Sequence, residues 1–216
     1  CRRGTRATRW GCSLYTASIE RRTSRLLVVV MIAGLTGCAA APPKTGPAVQ
    51  MDPQVQANFD AAMTAAADGQ TERAGNMLSG ISDSHPELVA PQLNLAILYA
   101  ENGREDESEA LLLALLETRP DEPEAWNQLG ILRRKTGRFE EADTAYLAAL
   151  EADPDYARAH RNRGVLLDLY LDRPAEAVDH YRRFVQLNEG DEEVERWIAE
   201  LELRLERTRS QQVAER

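Results

Sequence analysis

From residue 55 onward, apolar and small residues recur at helical spacing, and the whole pattern repeats every 34 residues. Counting from Pro123 as position 1, these residues fill positions 4, 7, 8, 20, 24, 27 and 32: Trp126, Leu129, Gly130, Ala142, Tyr146, Ala149 and Pro154. Thr136-Gly137 separates them into two groups. The pattern therefore predicts two amphipathic helices, A and B, joined by a turn in which glycine takes a positive φ.

Three further units follow the same register. Units beginning at Val55 and Val89 carry the turn signals Asp68-Gly69 and Asn102-Gly103. Like the third unit, they have a proline at position 32: Pro86, Pro120 and Pro154. The fourth unit begins at Ala157 and departs more, because Arg163 stands at the apolar position 7 and one residue is inserted near Asp172-Arg173-Pro174. We expect this unit to have weaker packing on helix A and the lowest stability of the four.

After the last unit, residues 192–207 place their apolar side chains on one helical stripe, backed by charged residues: Val194, Trp197, Ile198, Leu201, Leu203 and Leu205. An open stack of hairpins needs such a polar-backed helix at its end. Residues 192–207 are therefore predicted to form a capping helix, and residues 208–216 a frayed tail.

The third unit resembles the tetratricopeptide repeat (TPR) at every signature position except 11, where Arg133 replaces an aromatic residue. The resemblance implies an all-α protein, a right-handed α-solenoid of about four helical hairpins plus a C-terminal capping helix. Its units are 55–88, 89–122, 123–156 and 157–191. It also implies a non-catalytic scaffold that binds other proteins.

The amino-terminal part has the layout of a secretory signal. Arg21, Arg22 and Arg25 precede an apolar run from Leu26 to Leu35, which is too short to span a bilayer. Leu35-Thr36-Gly37-Cys38 resembles the lipobox of bacterial lipoproteins, which implies that 21–37 is a signal peptide and that Cys38 carries lipid, palmitate among its acyl chains. The alternative is a buried apolar helix that ends in cysteine.

The residues around this motif indicate which membrane the lipid anchor enters. Residues 38–54 have the composition of a flexible tether. Ala39 is not the aspartate of inner-membrane retention signals, so the resemblance implies the outer membrane, with the chain facing the periplasm. Residues 1–20 show no period and are expected to be non-native sequence upstream of the true start.

Charge and cysteine content exclude several kinds of partner and bond. The formal net charge is −9, and the part after the predicted signal is more acidic still, so we expect no nucleic-acid binding. Cys1 and Cys12 lie upstream of the predicted processing site, so the mature chain keeps one cysteine and no internal disulfide.

The sequence contains few residues that could carry out catalysis or bind a metal. His85, His160 and His180 have no Cys or His partner at metal-ligand spacing in the sequence, and no phosphate loop or catalytic motif is present. We therefore predict no enzyme activity, no metal and no cofactor.

The surface that remains is the concave face, which in the tetratricopeptide architecture is lined by helix A positions 2, 5, 6, 9, 12 and 13. The predicted peptide-binding groove is apolar in its first half and basic in its second: Phe59, Met63, Leu93, Asn94, Ile97, Asn127, Ile131, Arg134, Lys135, Arg158, Arg161 and Asn162. A partner segment that is apolar at one end and acidic at the other would fit. The alternative is that the arginines are a solvated face and the apolar residues pack against neighbouring helices. The asparagines lie at the wrong phases for the clamp of chaperone-binding relatives.

Two functions stay open at this stage. The first is an assembly factor for an envelope complex such as a type IV or Flp pilus or a secretin. The second is a periplasmic adaptor for peptidoglycan hydrolases or for a proton-driven TonB-type complex. Both share the fold and the anchor, and self-association through an end unit is compatible with either.

Overall fold

The computed structural model describes residues 51–188 and 190–215. The predicted signal peptide, Cys38 and the tether up to residue 50 lie outside the described residues. The described residues form nine α-helices and no strand: α1 (Pro53–Ala67), α2 (Thr71–Ser84), α3 (Val89–Glu101), α4 (Glu105–Thr118), α5 (Pro123–Lys135), α6 (Phe139–Ala152), α7 (Ala157–Leu169), α8 (Pro174–Leu187) and α9 (Glu192–Ala214). The predicted all-α fold is confirmed.

Consecutive helices pair as four hairpins, each with a short turn. In the first three hairpins the turn contains a glycine with positive φ, as predicted: Gly69 at 74°, Gly103 at 75° and Gly137 at 79°. The fourth turn, residues 170–173, is one residue longer, and Asp172 takes the positive φ of 50°. The inserted residue thus lengthens the turn and leaves both flanking helices intact.

The hairpins stack side by side, with their A helices on the inside. Besides the contacts between consecutive helices, α3 contacts α5 and α5 contacts α7, whereas no comparable contact joins α4 to α6 or α6 to α8. The A helices are therefore closer together than the B helices, so the stack curves around the A helices. Three of the hydrophobic core clusters draw residues from two neighbouring units, and the other joins the fourth unit to α9, which makes the core continuous.

Within a hairpin, the residue at position 8 sets how closely the two helices cross. Gly130 on α5 lies beneath the ring of Tyr146 on α6, and a Cβ built on Gly130 would be 2.5 Å from that ring. Gly164 and Tyr181 repeat the arrangement in the fourth unit, at 2.6 Å. A position without a side chain is therefore required opposite each tyrosine.

Arginines at two positions where the repeat expects apolar or aromatic residues form ion pairs between units. Glu109 on α4 binds Arg133 on α5 (3.2 Å) and Arg138 in the following turn (2.6 Å). Asp143 on α6 likewise binds Arg163 on α7 (2.6 Å) and Arg173 in the turn after it (3.3 Å).

Arg163 was expected to weaken the packing of the fourth unit. It is instead 7% exposed, and it is satisfied by Asp143 of the preceding unit. The sequence of one unit could not show this, because the partner lies in another repeat.

The last helix is longer than predicted. α9 begins after Asp191, whose side chain accepts a hydrogen bond from the Val194 amide, and it continues to Ala214 rather than ending at 207. The predicted frayed tail is therefore wrong for residues 208–214. Val194 and Leu201 pack into the core of the fourth unit. No helix among the described residues combines the length and the apolar character needed to cross a membrane.

Candidate protein-binding groove

Two of the predicted groove residues, Phe59 and Leu93, do not line an open surface. Each is only 7% exposed. Phe59 belongs to a core cluster with Leu95 and Leu98 of the second unit, and Leu93 to a cluster with Leu129 of the third. Position 5 faces the next unit: Phe59 shares a core cluster with residues of α3, and α3 contacts α5 directly. The prediction that Phe59 and Leu93 face outward is therefore wrong.

In the later units, position 5 also contacts the next element of the stack, but through polar side chains. Asn127 is buried, and its Oδ1 accepts a hydrogen bond of 2.9 Å from Asn162 Nδ2 of the fourth unit. Arg161 places its guanidinium 5.1 Å from the ring centre of Trp197 on α9. Residues at position 5 thus join each unit to the next along the inner side.

The apolar surface that stays accessible is formed by position 9. Met63, Ile97 and Ile131 are half-buried, and each rests on a core cluster. Because they occupy the same position in three successive A helices, they form a row along the inner face. Val165 holds this position in the fourth unit and is buried, so the row ends there. We call Met63, Ile97 and Ile131 the apolar row.

The predicted basic half contains residues with different partners. Lys135 donates to the Ala100 carbonyl and pairs with Glu105 at 2.9 Å, so it is engaged by the preceding unit. Arg134 is half-buried with its guanidinium 6.0 Å from the Tyr170 ring, and its buried Nε has no hydrogen-bond acceptor among the described residues. Arg158 is exposed. Arg134 is therefore a partly buried cation that makes no ion pair within the described residues.

Asn94 is the remaining predicted groove residue, and it is buried. Its Nδ2 donates to the Ala90 carbonyl one turn earlier, at 2.8 Å, while its Oδ1 has no donor among the described residues. An unsatisfied buried acceptor is unfavourable by about 1–3 kcal/mol. Asn94 is thus part of the packed interior of the stack and does not line the surface of the predicted groove.

Sequence reasoning missed several residues of this region. Trp197 and Tyr170, which lie beside Arg161 and Arg134, come from outside the helix A positions that were considered, and Glu122 directly precedes α5. Burial and the neighbouring Glu124 carboxylate raise the pKa of Glu122 to about 7. Only the tertiary structure shows that Trp197 and Tyr170 lie beside Arg161 and Arg134, because no motif in the sequence links these residues.

Two histidines that were expected to lack a partner meet between α7 and α8. His160 Nδ1 lies 2.9 Å from His180 Nδ1, and His160 Nε2 lies 3.0 Å from the Pro154 carbonyl. Because that carbonyl accepts, His160 Nε2 donates, so His180 Nδ1–H donates to His160 Nδ1. His180 Nε2 then accepts from Arg163 Nη1. Both rings are neutral in this chain of hydrogen bonds. In the described residues no group of three or more side chains is placed to hold a metal.

We expect this histidine pair to make folding sensitive to acid. Burial, with the nearby Arg163 and His160, lowers the pKa of His180 to about 4 in the folded chain; Asp143 and Glu176 act in the opposite direction. The unfolded chain therefore binds the proton first as pH falls through its ordinary value of about 6.5. Stability from His180 is then lost between pH 6.5 and 4, by about 1–2 kcal/mol after allowance for solvent screening.

The measurement is urea unfolding of the wild type and of His180→Gln at several pH values. Glutamine keeps one donor and one acceptor but does not titrate. The raised pKa of Glu122 makes its contribution to stability grow as pH falls, which is opposite to that of His180, but both proteins contain Glu122 and the comparison cancels it. The stability difference between them should shift in favour of His180→Gln as pH falls from 7 to 4.5. A difference that does not change with pH would contradict the expected role of His180.

Comparison with known proteins identifies the repeats. A sequence model described as "Tetratricopeptide repeat" matches residues 65–132, and one described as "TPR repeat" matches residues 130–168. Residues 65–168 contain tetratricopeptide repeats. No curated protein matches the chain.

Solved structures share the fold of this chain. A Pseudomonas aeruginosa pilF structure is 22% identical, with 71% of this chain and 69% of that chain covered and a TM-score of 0.62. MamA 41-end from Desulfovibrio magneticus RS-1 is 17% identical, with 77% and 94% covered and a TM-score of 0.58. MamA AMB-1 is 25% identical, with 73% and 85% covered and a TM-score of 0.54. These similarities establish the helical-repeat solenoid.

Proposed function

We propose that the chain is a non-catalytic scaffold, lipid-anchored through Cys38 at the periplasmic face of the outer membrane, that binds a protein segment along its inner face. We further propose that it aids the assembly of an envelope complex such as a type IV or Flp pilus or a secretin. The observation that carries the binding role is the apolar row, which leads along the inner face towards Arg134, a cation without an ion-pair partner among the described residues.

The arrangement favours a segment with apolar side chains at one end and a carboxylate at the other. Apolar side chains of the partner would cover Met63, Ile97 and Ile131, which are half-buried and need little rearrangement. A carboxylate would bind the Arg134 guanidinium without displacing another acid, since Lys135 and not Arg134 is engaged by Glu105. Such charge-assisted hydrogen bonds are among the stronger ones in proteins.

The groove is tested by photo-crosslinking in cells, with a photoreactive residue at Ile97. We expect the partner crosslinked to the wild type to be lost by about tenfold in Arg134→Glu, because a like charge then faces its carboxylate. Arg209→Glu, on the exposed end of α9, is the matched control and should leave recovery unchanged. Equal recovery from both variants would overturn the groove.

The crosslinked partner also distinguishes the two functions. Mass spectrometry that identifies a pilus or secretin subunit supports assembly, while a peptidoglycan hydrolase or a proton-channel protein supports the adaptor.

The same cells test the lipid anchor. Cys38→Ala should be released into the periplasmic fraction or remain unprocessed, and its presence in the outer membrane at normal size would contradict the lipid anchor.

A further inference from the structure

The outer helices of the second and third units carry an exposed apolar patch. Leu113 on α4 is 45% exposed and Leu147 on α6 is 41% exposed. They occupy the same position of the 34-residue unit and are followed by Ala114 and Ala148. We call these four residues the leucine patch. It lies away from the groove, because the B helices are on the outside of the curve.

Carboxylates bracket the leucine patch at both ends. Asp106 and Glu140 lie seven residues before the two leucines, and Glu117 and Glu151 lie four residues after them. Residues spaced by seven and by four share one face of a helix. All four acids are exposed, and none is within ion-pair distance of a base among the described residues, although Asp106 helps to raise the pKa of Arg138. Their neighbours Glu107 and Glu141, by contrast, pair with arginines.

Only the second and third units carry this pattern of leucines and acids. The position of the leucines is held by Ser79 in the first unit and by Arg182 in the fourth. The fold therefore does not require a leucine there, and the exposed side chains contribute little burial to the core. Two adjacent units therefore repeat an exposed leucine in the same register, with acids in the same register around it, which is more regular than scattered apolar residues.

We propose that the leucine patch binds a basic amphipathic helix of a partner protein. The apolar stripe of that helix would cover Leu113 and Leu147. Its lysines or arginines would meet the acids, which on each outer helix are separated by about 16 Å, or three helical turns. The sign of the charge selects this partner, because carboxylates on both sides of the patch repel an anionic membrane and the acidic surface of a second copy.

The test uses two synthetic helical peptides of about 18 residues, long enough to span this distance. Both carry the same leucine stripe, flanked by lysines in one and by glutamates in the other. Fluorescence anisotropy should show the lysine peptide binding the wild type at least about tenfold more tightly than the glutamate peptide, with weaker binding at high salt. Leu113→Ser with Leu147→Ser, which copies Ser79, should weaken lysine-peptide binding by about tenfold.

The matched control is Leu203→Ser, which removes a leucine of similar exposure, 48%, from α9 and should leave binding unchanged. Arg134→Glu should also leave it unchanged, which separates this surface from the groove. Circular dichroism should show both serine variants folded. The proposal would be overturned if the two peptides bound the wild type equally, or if the lysine peptide bound the double serine variant as tightly as the wild type. Sedimentation velocity that shows self-association lost in the double variant would also overturn it, because the occupant would then be a second copy.

Discussion

Gly130→Ala is expected to lower the free energy of unfolding by about 1–3 kcal/mol, although alanine normally favours a helix over glycine. The new Cβ would lie 2.5 Å from the Tyr146 ring. That ring is fully buried and cannot move away without disturbing the contact between α5 and α6. Urea unfolding followed by circular dichroism measures the loss.

The chain itself supplies a rescue and a control for this prediction. In the first two units the same pair of positions is Ala62 with Leu78 and Ala96 with Leu112. Tyr146→Leu should therefore relieve the clash, and the double variant should be more stable than the sum of the single changes predicts. Gly80→Ala is the control: it lies in α2 with open space around it, so it should stabilise by about 0.5–1 kcal/mol. Additive effects at Gly130 and Tyr146 would contradict the packing argument.

Asp143→Ala is expected to destabilise the fold by about 3 kcal/mol, because it leaves the Arg163 guanidinium buried without its carboxylate. Arg173 loses less, since it keeps Glu176 at 2.5 Å. The exposed pair of Arg104 and Glu107 serves for comparison, and Glu107→Ala should cost less than about 0.5 kcal/mol. Thermal and urea unfolding of the two variants measure the difference.

Adding Arg163→Leu should recover most of the stability lost in Asp143→Ala. Leu95 and Leu129 occupy the position of Arg163 in the second and third units, so a leucine fits there. Replacement of a buried ion pair by apolar residues is often neutral or stabilising. If Asp143→Ala is no worse than Glu107→Ala, the pair is not a buried junction between units.

The sequence predicted the fold because its signals are local and periodic. Turn glycines such as Gly69 and Gly103 require no knowledge of other units, and the structure gives them the predicted positive φ. The apolar spacing within one unit likewise defines two helices without reference to a neighbour. Four repetitions of the unit made these signals clear.

The candidate groove was harder to predict, because its lining depends on how adjacent units pack. Phe59 and Ile97 both lie at positions assigned to the concave face, yet Phe59 is buried against the second unit and Ile97 stays half-exposed. The difference arises because position 5 packs into the core shared with the next unit, whereas position 9 stays partly accessible. Periodicity within one helix does not contain that packing geometry.

The sequence by itself thus determined the helices, their pairing and the glycine turns, because each rests on residues close together in the chain. Only the tertiary structure decided the partners of the polar residues. Arg163 with Asp143, His160 with His180, and Arg161 with Trp197 are joined across helices and units. The physical reason is that a buried charge or imidazole is stable only with a particular partner at hydrogen-bonding distance, and the stacking of the units sets that distance.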